Sequence, residues 1–210
     1  MKMGAMVAIL AIADVVVQAK GEFGPFPVVT VYVQRRFSDM RLSLPHAEGI
    51  ASEMLSKAGV QIQWKTGSPK TGREAHPILI EITSDTPETI HPGVFAYARV
   101  FEGIHIRIFW DRVERACGES LADKLLGHVL AHEITHILQG IDHHSQEGLM
   151  KARWTAHDIL QMAYKPLPFE AKDVRLIHYG LAHYCLAGPT ARSRECSAPI
   201  SHTNIASSKR

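Results

Sequence analysis

The stretch AHEITHILQGIDHHSQEGLM, residues 131–150, holds four histidines, with a glutamate directly after the first of them. His132 and His136 are four residues apart, and on an α-helix this spacing carries the chain about 40° past one full turn. Both imidazoles therefore project from one face, on the order of 6 Å apart, so that two nitrogens can bind a single zinc ion. Glu133 points to one side of the pair, where a carboxylate can act as a general base without binding the metal.

A glycine interrupts the apolar periodicity of this segment and predicts where its helix ends. We expect a long helix that Ser120 caps and that stops at Gly140. A glycine beyond a helix end adopts the left-handed conformation readily and can turn the chain back toward a metal. A catalytic zinc site takes three protein ligands, and the residues after the turn offer Asp142, His143 and His144 for the third position. The spacing alone leaves these three open.

The same stretch resembles the metzincin clan of zinc endopeptidases, whose pattern is HExxHxxGxxH followed by a methionine turn. His132, Glu133 and His136 match this pattern directly. Gln139 stands in the family's glycine position, and Gly140 comes one residue later. The displaced glycine changes how the third ligand is counted.

A group of small bacterial matrixin-like proteases is more similar, with HExxHxxxG, three residues, His-Ser and then Gly-x-Met. On that layout the third zinc ligand is His144, with His143 and then Asp142 as alternatives. The resemblance also implies that Met150 is the methionine-turn residue, an apolar floor beneath the zinc. It therefore implies a zinc site made by His132, His136 and His144.

The resemblance extends over most of residues 28–180 and implies an α+β, zincin-like (metzincin) fold. That fold has a twisted mixed sheet with a backing helix and an active-site helix, followed by a small helical C-terminal lobe. It implies a single catalytic domain over residues 20–210, with an upper lobe at about 28–140 and a lower lobe at about 141–185. The polar tail at 188–210 is expected to be loose.

Local patterns predict the individual elements. Short β-branched or alternating runs predict strands at 28–33, 60–64, 78–83, 94–100 and 104–110. Apolar residues at helical spacing predict helices at 44–58, 120–139, 155–163 and 169–182. Thr155 and Asp158 form the pattern of a capping box at the start of the third helix.

These residues and the resemblance together predict a zinc-dependent endopeptidase with Zn²⁺ as its cofactor. We expect Glu133 to take a proton from the attacking water and to deliver it to the leaving amine. The residues Phe95, Ala96, Tyr97 and Ala98 are expected to form an edge strand that holds an extended peptide or protein substrate.

Two other kinds of zinc site are alternatives. A fourth side chain, Asp142 or His143, would close the site and make the chain a non-catalytic zinc-binding protein. A thermolysin-type site needs a glutamate ligand downstream of the helical histidine pair. Glu147 lies too near that pair, and Glu170 lacks the expected flanking pattern.

Composition narrows the functional class. The chain has 210 residues, 46% of them hydrophobic, which is typical of a soluble globular protein. A net charge of +2 is too small to argue for a nucleic-acid partner. Beyond the N-terminal run, the sequence has no segment that is long and apolar enough to cross a bilayer.

The N-terminus predicts export. Residues 1–19 have the pattern of a signal peptide, because Lys2 precedes a mostly apolar run and Ala19 follows two residues after Val17 at a cleavage-like site. We therefore expect a secreted or periplasmic protein without stable membrane association once the signal is removed. In such a compartment Cys185 and Cys196 can form a disulfide, and the equal alternative is that all cysteines remain thiols.

Overall fold

The computed structural model describes residues 26–37, 43–69, 77–91, 93–98 and 105–186, with side chains as far as 183. The predicted signal at 1–19, the predicted tail at 188–210 and the Cys185–Cys196 pairing lie outside what it describes. In chain order the elements are β1 (Val28–Arg35), α1 (Leu44–Lys57), β2 (Gln61–Thr66), β3 (Ile78–Thr83), β4 (Ala96–Ala98), β5 (His105–Phe109), α2 (Trp110–Cys117), α3 (Glu119–Gln139), α4 (Ala156–Met162) and α5 (Ala171–Leu186).

A five-stranded mixed sheet runs in the order β2-β1-β3-β5-β4. β1 pairs in parallel with β2 and β3, and β3 pairs in parallel with β5. β4 pairs antiparallel with β5, as the terminal strand. On β3 the isoleucines 78, 80 and 82 are buried and alternate with more exposed residues, so one face of the sheet is apolar. These side chains share one core with α1 and α3, which confirms the predicted α+β fold.

The long helix α3 packs against α1 and α5 through two close approaches at glycines. A Cβ added to Gly127 would lie 2.8 Å from the side chain of Ile50 on α1. A Cβ added to Gly180 on α5 would lie 1.9 Å from the carbonyl oxygen of Leu138. Neither position has room for a methyl group. At Gly127 the side chain of Ile50 packs directly on the α3 backbone, and at Gly180 the backbones of α5 and α3 meet, so α3 is held firmly in place.

We expect Gly180→Ala to lower the free energy of unfolding by about 1–3 kcal/mol, the usual cost of overpacking a core. The clash is with a backbone carbonyl, so no side-chain rotation relieves it. Gly49→Ala on α1 is the matched control, because an added Cβ there meets nothing within 4 Å. Alanine favours a helix over glycine, so this control should be about 0.5–1 kcal/mol more stable. Urea unfolding of both variants measures the contrast, and equal stabilities would contradict the packing described.

The predictions for the segment before α3 are partly wrong. The strand predicted at 104–110 ends at Phe109, and Trp110 begins the helix α2, which was not predicted. Polar residues separate its two buried apolar positions, Trp110 and Val113, and so hide the helical period. The cap predicted at Ser120 is also wrong, because α3 begins at Glu119, directly after Gly118 with φ 71°. That glycine turns the chain sharply between α2 and α3.

The C-terminal helices follow the sequence pattern more closely. α4 begins after Thr155, and the predicted capping box is confirmed. The Thr155 N–H donates to Asp158 Oδ2 at 2.7 Å, and the Asp158 N–H donates to Thr155 Oγ1 at 3.2 Å. α5 begins at Ala171, two residues later than predicted. Within the described residues, no helix has the length and apolar character needed to span a membrane.

Candidate metal centre

The turn at the end of α3 brings the following loop back beside the helix. Gly140 adopts the left-handed conformation, with φ 69° and ψ 14°, and its N–H donates to the His136 carbonyl at 3.0 Å. The predicted left-handed glycine is therefore confirmed. Its consequence is that His144, in the loop after the turn, lies against the two histidines of the helix.

Three histidines converge at this point. The Nε2 atoms of His132 and His136 are 3.0 Å apart. The centre of the His144 ring lies 5.5 Å from the ring centre of His132 and 4.8 Å from that of His136. One nitrogen from each of the three rings lies within 4.8 Å of the others. Two nitrogens bound to one tetrahedral zinc at 2.0–2.1 Å are about 3.3 Å apart, so the donor set fits zinc with a small inward movement of His144.

The orientation of His132 leaves the correct nitrogen free. Its Nδ1 lies 2.9 Å from the Leu149 carbonyl oxygen, so this nitrogen carries the proton and donates it. The lone pair then sits on Nε2, which faces His136. The indole N–H of Trp154 donates to the same carbonyl at 3.2 Å, and its ring meets His132 edge-on at 5.4 Å. Metal-binding histidines usually have such a second hydrogen bond, which fixes ring and tautomer.

Electrostatics keep the helical histidines neutral. Burial, together with the nearby His136, lowers the pKa of His132 to about 3. Burial likewise lowers the pKa of His136 to about 4, with a contribution from His144. A lowered pKa means that both imidazoles are deprotonated at neutral pH, which is the form that binds a metal.

Glu133 is almost fully buried and lines the same cleft as the three histidines. Burial, together with the negative charge of Asp142, raises its pKa to about 8. Among the described residues, Glu133 does not belong to the group of metal donors. The structure therefore places a proton-accepting group beside the donors, as the motif predicts, without making it a ligand.

The two alternative third ligands make other contacts. The Nε2 atom of His143 lies 3.6 Å from Asp173 Oδ1 on α5 and 3.5 Å from Ser145 Oγ. Asp142 is largely exposed, with its carboxylate 3.7 Å from His144 Nδ1. In the part of the chain that the structure describes, neither joins the group of three donors. The geometry favours His144 for the third position.

Sequence reasoning missed Asp173, which anchors the loop that carries His144. The Asp173 side chain is fully buried and accepts the Ser145 hydroxyl at 2.5 Å and the Glu170 N–H at 2.9 Å. In the sequence it resembles an ordinary acidic residue in the first turn of a helix, where the macrodipole favours it. Its burial depends on the contact between α5 and the loop, which no local pattern reports.

The predicted methionine-turn residue contacts the loop beside His144 through its backbone carbonyl. Met150 is fully buried, and its carbonyl accepts the Ser145 N–H at 2.8 Å. The preceding carbonyl, that of Leu149, is the one that holds His132. The proposed role of the Met150 side chain as a floor beneath the metal stays a prediction.

The two glutamates of the thermolysin-type alternative are joined by one hydrogen bond. The Glu147 N–H donates to Glu170 Oε1 at 3.0 Å. Within the described residues, neither carboxylate joins the three histidines. The contact attaches the loop to the residues just before α5. The candidate metal donors are therefore the three histidines.

A cleft of about 600 Å³ runs past the histidines and is bordered by the sheet edge. All four residues of the predicted edge strand line it, namely Phe95, Ala96, Tyr97 and Ala98. The Phe109 N–H donates to the Phe95 carbonyl, and antiparallel pairs alternate, so Phe95 and Tyr97 face β5. The backbone groups of Ala96 and Ala98 therefore point away from β5, toward the edge of the sheet that can take an extended peptide.

Comparison with known proteins supports the fold. No family model and no curated protein matches the chain. The crystal structure of archaemetzincin from Methanopyrus kandleri is similar, with a TM-score of 0.51 and 16% identity over 76% of this chain and 98% of that one. A zinc-dependent peptidase from Methanocorpusculum labreanum has a TM-score of 0.48 and 15% identity, over 71% of this chain and 99% of that one. The chain has the fold of archaemetzincin.

Proposed function

We propose that this protein is a zinc-dependent endopeptidase. The observation that carries the proposal is the convergence of His132, His136 and His144 beside Glu133, in a cleft bordered by an edge strand. Three imidazoles with one direction left open match a catalytic zinc site rather than a closed structural one. The fold supports the proposal, because the structurally similar archaemetzincin contains the same arrangement of sheet and helices.

The histidines have the role of holding the metal. A bound zinc ion supplies Lewis-acid chemistry, polarising a carbonyl and activating water. The Leu149 carbonyl orients His132, and the buried carboxylate of Asp173 anchors the loop that carries His144. Both contacts are made by groups of the protein itself, and they orient the donor atoms toward one point.

Glu133 has the role of moving the proton. Its carboxylate takes a proton from the water that attacks the peptide carbonyl and delivers it to the leaving nitrogen. Burial favours the protonated carboxyl, whereas a cation beside it favours the ionised form. The two effects oppose each other and can hold the pKa near the working pH, where a general base is most effective.

The substrate proposal rests on the sheet edge. An extended peptide that pairs with Ala96 and Ala98 becomes one more strand, and its carbonyl groups run along the cleft past Glu133. Main-chain pairing of this kind holds a peptide without demanding a particular sequence. It is suited to an endopeptidase that acts on unfolded segments or flexible loops.

The alternative is a zinc-binding protein with a closed site. It requires a fourth side chain at the metal, for which the sequence offered Asp142 or His143. His143 is instead directed at Asp173, and Asp142 is 72% exposed in its side chain. These positions favour an open site and therefore catalysis.

The test is cleavage of an unfolded protein substrate under control of the metal. We expect cleavage with one equivalent of zinc, a complete loss after treatment with a chelator, and recovery when zinc is added back. The reason is that the three histidines hold the metal, and the metal supplies the Lewis acid that polarises the peptide carbonyl and activates water. Full activity in metal-free protein, or zinc binding with no cleavage of any unfolded substrate, would overturn the proposal.

A further inference from the structure

The helix α2, which the sequence did not predict, contacts the residues that lead into the edge strand. Its first turn carries Asp111 and Arg112. The Thr86 hydroxyl donates to Asp111 Oδ1 at 2.5 Å. The guanidinium of Arg112 donates to three backbone carbonyls, those of Ile90 at 2.8 Å, Val94 at 3.0 Å and His91.

Arg112 is well suited to hold this backbone. A guanidinium is planar, always charged and able to donate several hydrogen bonds in fixed directions. Here it lies 5.6 Å from the centre of the Phe109 ring, a cation–π contact. Phe109 also donates its N–H to the Phe95 carbonyl, so Arg112 and the strand start are fixed to the same residue of β5.

The strand start is linked in turn to the metal centre. The ring of Phe95 stacks on Trp154 with a centroid distance of 6.4 Å. Trp154 shares the Leu149 carbonyl with His132, as described above. The position of Val94 and Phe95 therefore sets how far the edge strand stands from the histidines across the cleft.

We propose that Arg112 is a positioning residue for substrate binding: it fixes the backbone that enters β4 and so sets the distance between the edge strand and the metal site. This inference rests on the proposed function, because it concerns the strand that binds the peptide. Arg112 is not among the residues that line the cleft. Its effect should therefore fall on binding rather than on the chemical step.

Arg112→Gln is the test, with Arg115→Gln as the matched control. Arg115 is on the same helix, has a side chain that is 74% exposed, and pairs at 3.4 Å with Asp111 at the surface. In the zinc-loaded protein we expect Arg112→Gln to raise KM roughly tenfold with kcat within about twofold, the pattern of lost ground-state binding. Arg112→Lys keeps the positive charge but loses the planar set of N–H donors, so its KM should lie between those of the wild type and of Arg112→Gln.

Hydrogen exchange gives a second measurement that needs no activity. The amide of Tyr97, which faces β5, should exchange faster in Arg112→Gln than in Arg115→Gln, whereas the amides of α3 should be unchanged in both. Equal KM values and equal exchange of the Tyr97 amide in the two variants would overturn the inference. An inactive wild type would count instead against the proposed function, and the exchange experiment would still decide the role of Arg112.

Discussion

Glu133→Gln is expected to reduce peptide cleavage by roughly 10²–10⁴-fold, the usual contribution of general acid–base catalysis. Glutamine has nearly the same shape as glutamate but cannot accept a proton at neutral pH. Because Glu133 is not among the three donors, the variant should still bind one equivalent of zinc. Loss of activity with retention of metal separates the general base from the metal ligands.

The measurement combines steady-state cleavage with zinc content by elemental analysis. Glu170→Gln is the control, because that carboxylate bonds the Glu147 amide outside the cleft and should keep its cleavage rate. Cleavage by Glu133→Gln at the wild-type rate would contradict the mechanism. Loss of zinc from Glu133→Gln would show that the carboxylate is a ligand after all.

The second large effect is expected at the third ligand. His144→Ala should weaken zinc binding by at least about 100-fold, since changes even to the groups that support metal ligands cost 10–100-fold. His143→Ala should retain stoichiometric zinc, because its imidazole is directed at Asp173. Asp142→Ala should also retain zinc, because its exposed carboxylate is not among the donors.

Competition with a chromogenic chelator measures the three affinities under one condition. The comparison addresses consecutive positions in one loop, so general disturbance of the loop would affect all three variants. A selective loss of affinity in His144→Ala supports the assignment. A larger loss in His143→Ala or Asp142→Ala would move the third ligand to that residue.

The helical half of the site could be predicted from the sequence because it depends on one local period. The spacing of His132, Glu133 and His136 determines their directions wherever a helix forms, and Gly140 marks its end. The sheet could be predicted for a similar reason, since β-branched runs favour strands. These features depend only on residues a few positions apart in the sequence.

The rest depended on contacts between distant segments. Asp142, His143 and His144 are adjacent in the sequence. Asp173 on α5 accepts a hydrogen bond from Ser145 and faces His143, and this contact favours His144 for the third position. The anchoring of His132 by the Leu149 carbonyl is likewise a contact across the loop. Local patterns do not report such contacts, so the sequence alone left the third ligand open.

The helix α2 is a short amphipathic element that the sequence pattern did not predict. It has eight residues and two buried ones, too few to establish a period. Its start, Trp110, directly follows Ile108 and Phe109 of β5, so the end of the strand and the start of the helix form one apolar run in the sequence. The hydrogen bonds of Arg112 connect α2 to the residues that lead into the edge strand.

The most direct test of the account is a crystal structure of the zinc-loaded protein with anomalous data at the zinc edge. We expect one zinc ion bound by His132, His136 and His144, with a fourth position open to the cleft and the Glu133 carboxylate beside it. A fourth protein ligand at the metal, zinc at another place, or no stoichiometric zinc would contradict the central claim that these three histidines form an open catalytic site.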